Sequence, residues 1–263
     1  MGLEMVGHND PEPICEDIPM RMHQQTLSSP MASHRGIGLL LSAVLLASLS
    51  TPANAQYAGA TTYLGSYSNT APTKPSDLEE LVTDMKKGGY VIVFRHGATN
   101  ADQADTDPFH LENIGAQRVL SDKGRDVAKR VGDSFRTLGI PLGKVYSSEF
   151  NRATETAQLV SGKSPTTTPD LTEGGLVVSP NENARRAKAL KALAAVVPEA
   201  GSNTLIVTHK PNILDAFGED WFASKEGEAS VFRPDGSNTL VLVARVQAAD
   251  WIRAVGLAAS LSK

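Results

Sequence analysis

The sequence predicts an α/β protein built on a mainly parallel sheet, and three observations carry that reading. Short apolar runs of β-formers at residues 90–94 and 204–208 have the continuous pattern of strands buried on both faces. Segments with apolar residues at helical spacing alternate with them. Turn and cap residues punctuate the joins, as at Gly88-Gly89 and Gly139-Ile140-Pro141.

Each element follows from its own signals. Ser76-Asp77-Leu78-Glu79 is a capping box, and the helix it opens places Leu78, Leu81, Val82 and Met85 on one face until Gly88-Gly89 stops it. The strand at 90–94 comes next. A second helix starts at Ser121, carries Val127, Val131, Phe135 and Leu138 at helical spacing, and ends on Gly139. Then come a short strand at 144–147, a helix at 152–160, a longer helix at 182–197 and the strand at 204–208. Residues 239–246 read as a last strand, and 251–257 as a terminal helix or an irregular cover.

The 263 residues include 25 Lys+Arg against 29 Asp+Glu, a net charge of −4, with 41% hydrophobic residues. This is the profile of an ordinary globular protein and excludes collagen-like, coiled-coil and wholly disordered chains. Without a basic excess, nucleic acid is not an expected partner. Cys15 is the single cysteine, so zinc ribbons, cysteine clusters and internal disulfides are excluded.

The N-terminal segment reads as an address. Residues 36–55 hold no charge, 37–49 are mostly Leu, Ala, Val and Ile, His34-Arg35 precedes them and Ala53-Asn54-Ala55 follows. A basic flank, a short apolar core and an Ala-x-Ala site make residues 31–55 a signal peptide cleaved after Ala55, with a secreted or periplasmic product. A membrane anchor needs about 20 apolar residues, and Ser42, Ser48 and Ser50 dilute this run, so no stable anchor is expected after cleavage. Residues 1–30 read as a mis-assigned start or an unstructured extension, with Met31 as the initiator. Residues 56–75, rich in Thr, Ser, Tyr, Gly and Pro, read as a linker or surface arm. The folded domain is expected over 76–263.

Cationic and imidazole side chains stand just past three strands: Arg95-His96, Arg152 in the helix after 144–147, and His209. In open α/β sheets ligands bind outside those strand ends, so two histidines and two arginines are expected to meet in one pocket. Such a pocket suits phosphate, because guanidinium forks pair with its oxygens and a neutral imidazole can attack phosphorus.

Arg95-His96-Gly97 after an apolar strand, the run Ser148-Glu149-Phe150-Asn151-Arg152-Ala153-Thr154-Glu155-Thr156-Ala157, and then Thr208-His209 together resemble the histidine phosphatase superfamily, also called phosphoglycerate mutase-like. The resemblance spans 90–246. It implies a three-layer α/β/α sandwich, His96 as the nucleophile that takes the phosphoryl group, and Arg95, Arg152 and His209 as its phosphate pocket. It implies no metal and no other cofactor. It also implies a general acid among the carboxylates. Glu228, in Gly227-Glu228-Ala229-Ser230-Val231-Phe232-Arg233-Pro234, is preferred because that stretch is similar to secreted branches related to lipopolysaccharide heptose phosphatases. Glu173, in Asp170-Leu171-Thr172-Glu173-Gly174-Gly175, is the alternative, where mutase-like members often carry theirs.

Thr99 and Asn100, on the loop after His96, can donate hydrogen bonds to phosphate oxygens. Arg118 either approaches the pocket or caps an exposed helix entry. Lys210 stands where mutases carry Gly and the phytase branch carries Asp, a departure that adds positive charge for an anionic group. Asp102, Asp105 and Asp107 lack the glycine and glutamate of a calcium loop and read as a solvated loop. The expected activity is a secreted, metal-independent phosphomonoesterase acting on a small phosphorylated substrate, a sugar phosphate or envelope phosphate among them. The rivals are a catalytically silent phosphate binder, a mutase or phosphohistidine phosphatase, and a metal hydrolase. Neither His96 nor His209 sits in a short metal-ligand pairing, which disfavours the last.

Overall fold

The computed structural model describes residues 75–174 and 177–261. Of the segments 1–30, 31–55 and 56–75, only Pro75 lies within them. Every described residue belongs to one compact unit, 55–263.

Helix α1 (Pro75–Met85) leads into strand β1 (Val91–Arg95), and a loop connects this to α2 (Asp122–Leu138). There follow β2 (Leu142–Ser147), α3 (Asn151–Ser161), the two-residue β3 (Thr166–Thr167) and α4 (Pro180–Ala194). The chain ends with β4 (Asn203–Thr208), α5 (Lys210–Phe217), β5 (Ala229–Pro234), β6 (Leu240–Val246) and α6 (Ala248–Leu261). Proline at the first position suits α1, so its helix begins one residue ahead of the expected cap Ser76. At α2 the expected signals hold: the Ser121 hydroxyl accepts from Gly124 N, and Gly139 closes the helix at φ 70°. Helix α4 starts earlier than the periodicity suggests, because Ser179 caps it and Pro180 opens it.

The six strands lie in the order β3-β2-β4-β1-β5-β6. The pairs β3–β2, β2–β4 and β4–β1 are parallel, whereas β1–β5 and β5–β6 are antiparallel. The sheet is therefore mixed: three of its five pairings are parallel, as expected, and the two made by β5 are antiparallel. The difference arises at 229–234, to which the sequence pattern assigned no element. Its first four residues are all buried, so no alternation marks it, and Arg233-Pro234 mimics a loop.

Two apolar clusters fill the two faces of the sheet. Ile92 and Phe94 of β1 pack with Leu78 and Met85 of α1, Val131 and Phe135 of α2, Ala157 of α3 and Trp251 of α6. Their strand neighbours Val91 and Val93 pack with Leu190 of α4, Ile213 and Phe217 of α5, and Trp221. The period-two alternation of β1 thus distributes its side chains between the clusters, and burial on both sides explains why it reads as an unbroken apolar run.

Candidate active site

Strands β1 and β4 are adjacent and parallel, with Arg95 opposite Thr208. Beyond β1 the chain turns toward α2 on one face, and beyond β4 toward α5 on the other. A crevice opens where neighbouring strands send their connections to opposite faces. His96 and His209 stand at its lip, tied across it by the bond from His96 N to the Thr208 carbonyl at 3.1 Å. Their ring centroids are 5.1 Å apart.

His96 Nδ1 lies 2.8 Å from the Gly97 carbonyl oxygen. A carbonyl only accepts, so Nδ1 carries the proton and Nε2 keeps its lone pair. Burial holds the His96 imidazole well below the ordinary histidine range, and His209 and Arg152 push the same way. The ring is therefore neutral at pH 7. Its loop is pinned from two directions: Thr156 Oγ1 accepts Gly97 N at 3.0 Å, and Ser121 N and Oγ both donate to the Ala98 carbonyl, at 3.0 and 3.2 Å. Close approach makes this possible, since a Cβ at Gly124 would stand 2.0 Å from Ala98 O.

His209 caps α5 and is fully buried. Its Nε2 is 2.7 Å from Ser148 Oγ, while the same hydroxyl is 3.3 Å from Thr172 Oγ1. Ser148 gives its one hydroxyl proton to Thr172 Oγ1 and so accepts from Nε2–H, which leaves the lone pair on Nδ1. That nitrogen makes no hydrogen bond among the described residues and lies 3.5 Å from Glu173 Oε1. Burial dominates the downward pull on this imidazole too, with Arg152, Arg118 and Arg95 adding to it.

Three guanidinium groups surround the pair. Arg95 Nη1 donates to the Ser224 carbonyl at 2.5 Å. Arg152, fully buried, stacks 4.1 Å over the Phe150 ring. Its Nη1 donates to Asp105 Oδ1 at 3.0 Å and its Nη2 to Glu173 Oε1. Arg118 offers its carbonyl to Arg152, and its charge acts on both His209 and Arg95. The Nε atoms of all three arginines are buried and have no hydrogen-bond partner among the described residues. Burying so many donors unpaired is costly, a cost that an anion bound among them would relieve.

The two candidate acids differ sharply. Glu228 is 3% exposed, and both its oxygens are taken: Oε1 accepts from Arg245 Nε at 2.8 Å and Nη2 at 2.5 Å, Oε2 from Gln247 Nε2 at 2.6 Å and Lys225 N at 3.2 Å. Its carbonyl accepts from Arg95 N at 3.0 Å, so it buttresses the strand end instead of facing the histidines with a free oxygen. Glu173 stands directly between Arg152 and His209.

Of the remaining expected residues, Asn100 bonds Gln103 and Val119, and Thr99 forms a bridge with Leu120. Lys210 Nζ sits 4.6 Å over the Phe222 ring. Two residues of the site escaped the sequence reading. Asp105, assigned to a solvated loop, holds both Arg152 and Arg118 N. Ser148, inside the recognised motif, orients His209. Among the described residues no group of three or more His, Cys, Asp or Glu side chains could hold a metal ion.

Residues 91–177 match the family model of the histidine phosphatase superfamily (branch 1). Over 85 residues the chain is 39% identical to the mitochondrial serine/threonine-protein phosphatase Pgam5 of Drosophila grimshawi, and equally to that of Drosophila virilis. Those alignments cover 32% of this chain and 26% of each relative, so the chain spans about a quarter of the curated relatives it matches. Among solved structures, the protein histidine phosphatase SixA in complex with tungstate aligns at TM-score 0.45 and 20% identity, over 61% of this chain and 98% of that one. A phosphoserine phosphatase mutant from Entamoeba histolytica aligns at TM-score 0.44 and 16% identity, over the same shares. The family match takes in β1, His96 and Arg152 and stops short of β4 and His209.

Proposed function

We propose that this protein is a metal-independent phosphomonoesterase that works through a phosphohistidine on His96. The observation that carries the reading is the neutral His96 ring, its Nδ1 proton on the Gly97 carbonyl and its Nε2 without a hydrogen bond among the described residues, beside His209 and three arginines whose Nε donors are likewise unpaired among those residues. In the first step Nε2 attacks phosphorus, the bond to the ester oxygen breaks, and Glu173 protonates the departing oxygen. In the second, water attacks the phosphohistidine, Glu173 takes the water's proton, and the N–P bond breaks to release inorganic phosphate. The arginines hold the charge on the transferring group, a task that positioning and electrostatics can accomplish alone.

The secreted placement rests on the charge-free run 36–55 and its Ala53-Asn54-Ala55 site. The similarity of 227–234 to lipopolysaccharide heptose phosphatases is what supports that branch. A catalytically silent phosphate binder draws support from one feature, the commitment of both Arg152 amino groups to Asp105 and Glu173.

Hydrolysis of p-nitrophenyl phosphate by the full chain in EDTA, beside His96→Ala, tests the proposal. Turnover that survives EDTA and falls on the order of 10⁴-fold in the variant is expected. Phosphate binding without turnover in the parent selects the silent binder. Equal turnover by both proteins removes His96 as nucleophile.

A further inference from the structure

A cleft of about 500 Å³ adjoins the site, within the size range of small-molecule pockets. Its inner wall is shared with the catalytic groups. Phe150 lies under Arg152 and 5.5 Å from the His209 ring, and Asp105 and Glu173 are the carboxylates that grip Arg152. Phe150, Asp105 and Glu173 thus belong both to the cleft and to the surroundings of Arg152 and His209. A phosphoryl group attacked by His96 Nε2 would have its ester oxygen on the side away from that nitrogen, and Glu173, the carboxylate that would protonate it, lines the cleft.

The outer wall is apolar. Phe109, on the loop before α2, is 76% exposed and lines the cleft with Leu111, Val177 and Val178. A single exposed ring needs no explanation, but apolar side chains gathered along one wall of a cleft mark a ligand groove. The charges of the lining point the same way. Among the described residues of the lining, Glu149 presents a carboxylate, and the one cation, Arg186, is bonded through Nε to Glu182 and through Nη1 to the Thr172 carbonyl. A second phosphate or a carboxylate on the substrate would meet negative charge here.

We infer that the cleft takes the leaving group of the phosphomonoester and that this group is apolar and uncharged, an alkyl or aryl alcohol in preference to a polyhydroxylated sugar or an acid. The inference rests on the phosphatase reading above. Phe109 and Val178 are then specificity-determining residues.

Three alkyl monoesters with similar leaving alcohols test it: ethyl phosphate, hexyl phosphate and glycerol 1-phosphate, each assayed for phosphate release by the full chain. A fully buried methylene is worth about fourfold, so the four extra methylenes of the hexyl ester, half-buried, raise kcat/KM at least about tenfold over ethyl. Glycerol phosphate stays near the ethyl ester. In Phe109→Ser and in Val178→Ser the hexyl-to-ethyl ratio falls toward one. A parent ratio near one, a glycerol phosphate preference, or a hexyl advantage unchanged in both variants overturns the inference and leaves the phosphatase reading standing. No phosphate from any of the esters overturns both.

Discussion

Acid should unfold this protein before its carboxylates titrate, because two imidazoles are buried in their neutral form. His96 and His209 are both held well below 6.5, chiefly by burial. In the unfolded chain each imidazole takes up a proton near 6.5. Between that value and the folded ones the unfolded state binds more protons, so the stability they contribute is complete above 6.5 and drains away as pH falls. Each group adds a slope approaching about 1.4 kcal/mol per pH unit, and the pair about 2.7 kcal/mol per unit. The exposed His110 works in the opposite sense, since Asp107 raises it, but it is present in every variant and cancels in comparison. Urea unfolding of the full chain from about pH 7.5 to about pH 5 at constant ionic strength measures the slope. His96→Asn and His209→Asn should each lose about half of it, whatever their absolute stability. A parent slope no steeper than either variant's, or stability rising as pH falls, would refute the neutral burial on which the nucleophile argument depends.

Three further outcomes follow from the same geometry. Glu173→Gln should lower kcat on alkyl phosphates by about 10²- to 10⁴-fold and also lower the urea midpoint, because it takes one carboxylate from the buried Arg152, whereas Glu228→Gln should cost about 3 kcal/mol of stability by leaving the partly buried Arg245 beside a neutral amide, with kcat of the folded protein little changed. Gly124→Ala places a methyl 2.0 Å from the Ala98 carbonyl and should destabilise by about 1–3 kcal/mol while slowing turnover, because the displaced loop carries His96; unfolding curves and kcat read the two effects separately. Ser148→Ala should cut kcat/KM more than it cuts stability and shift the acid limb of the pH profile, with Ser148→Thr restoring both, since only the hydroxyl on His209 Nε2 sets which nitrogen bears the proton.

The residues at the strand ends were legible for a physical reason. A strand buried on both faces is an unbroken apolar run, and the abrupt change to Arg95-His96 or His209 marks where it leaves the core. The Ser121 and Gly139 caps were legible because each satisfies backbone groups within a few residues of itself. Strand β5 was not, since it needs β1 on one side and β6 on the other to become a strand at all. Asp105 was hidden in the same way. A polar loop without periodicity gives no sign that one of its carboxylates folds back onto an arginine 47 residues further along.

The choice between the two glutamates shows how far that limit reaches into mechanism. Glu228 and Glu173 are both glutamates in Gly-containing stretches beyond a catalytic element, and their surroundings in sequence favour Glu228. What separates them is pairing. Antiparallel register sets Ser230 against Arg245 and Ala229 against Val246, which carries Arg245 and Gln247 to Glu228 and occupies both its oxygens. Glu173 follows the short helical turn Pro169–Leu171, whose Leu171 carbonyl accepts from Thr208 Oγ1 at 2.6 Å, one residue ahead of His209. That bond brings the carboxylate to the imidazole. Changing Glu173, the carboxylate proposed to shuttle protons, should alter the chemical step, and changing Glu228, whose carboxylate holds Arg245 and Gln247, should alter the fold alone, so a loss of kcat in folded protein must be confined to the Glu173 variant for this division of labour to hold.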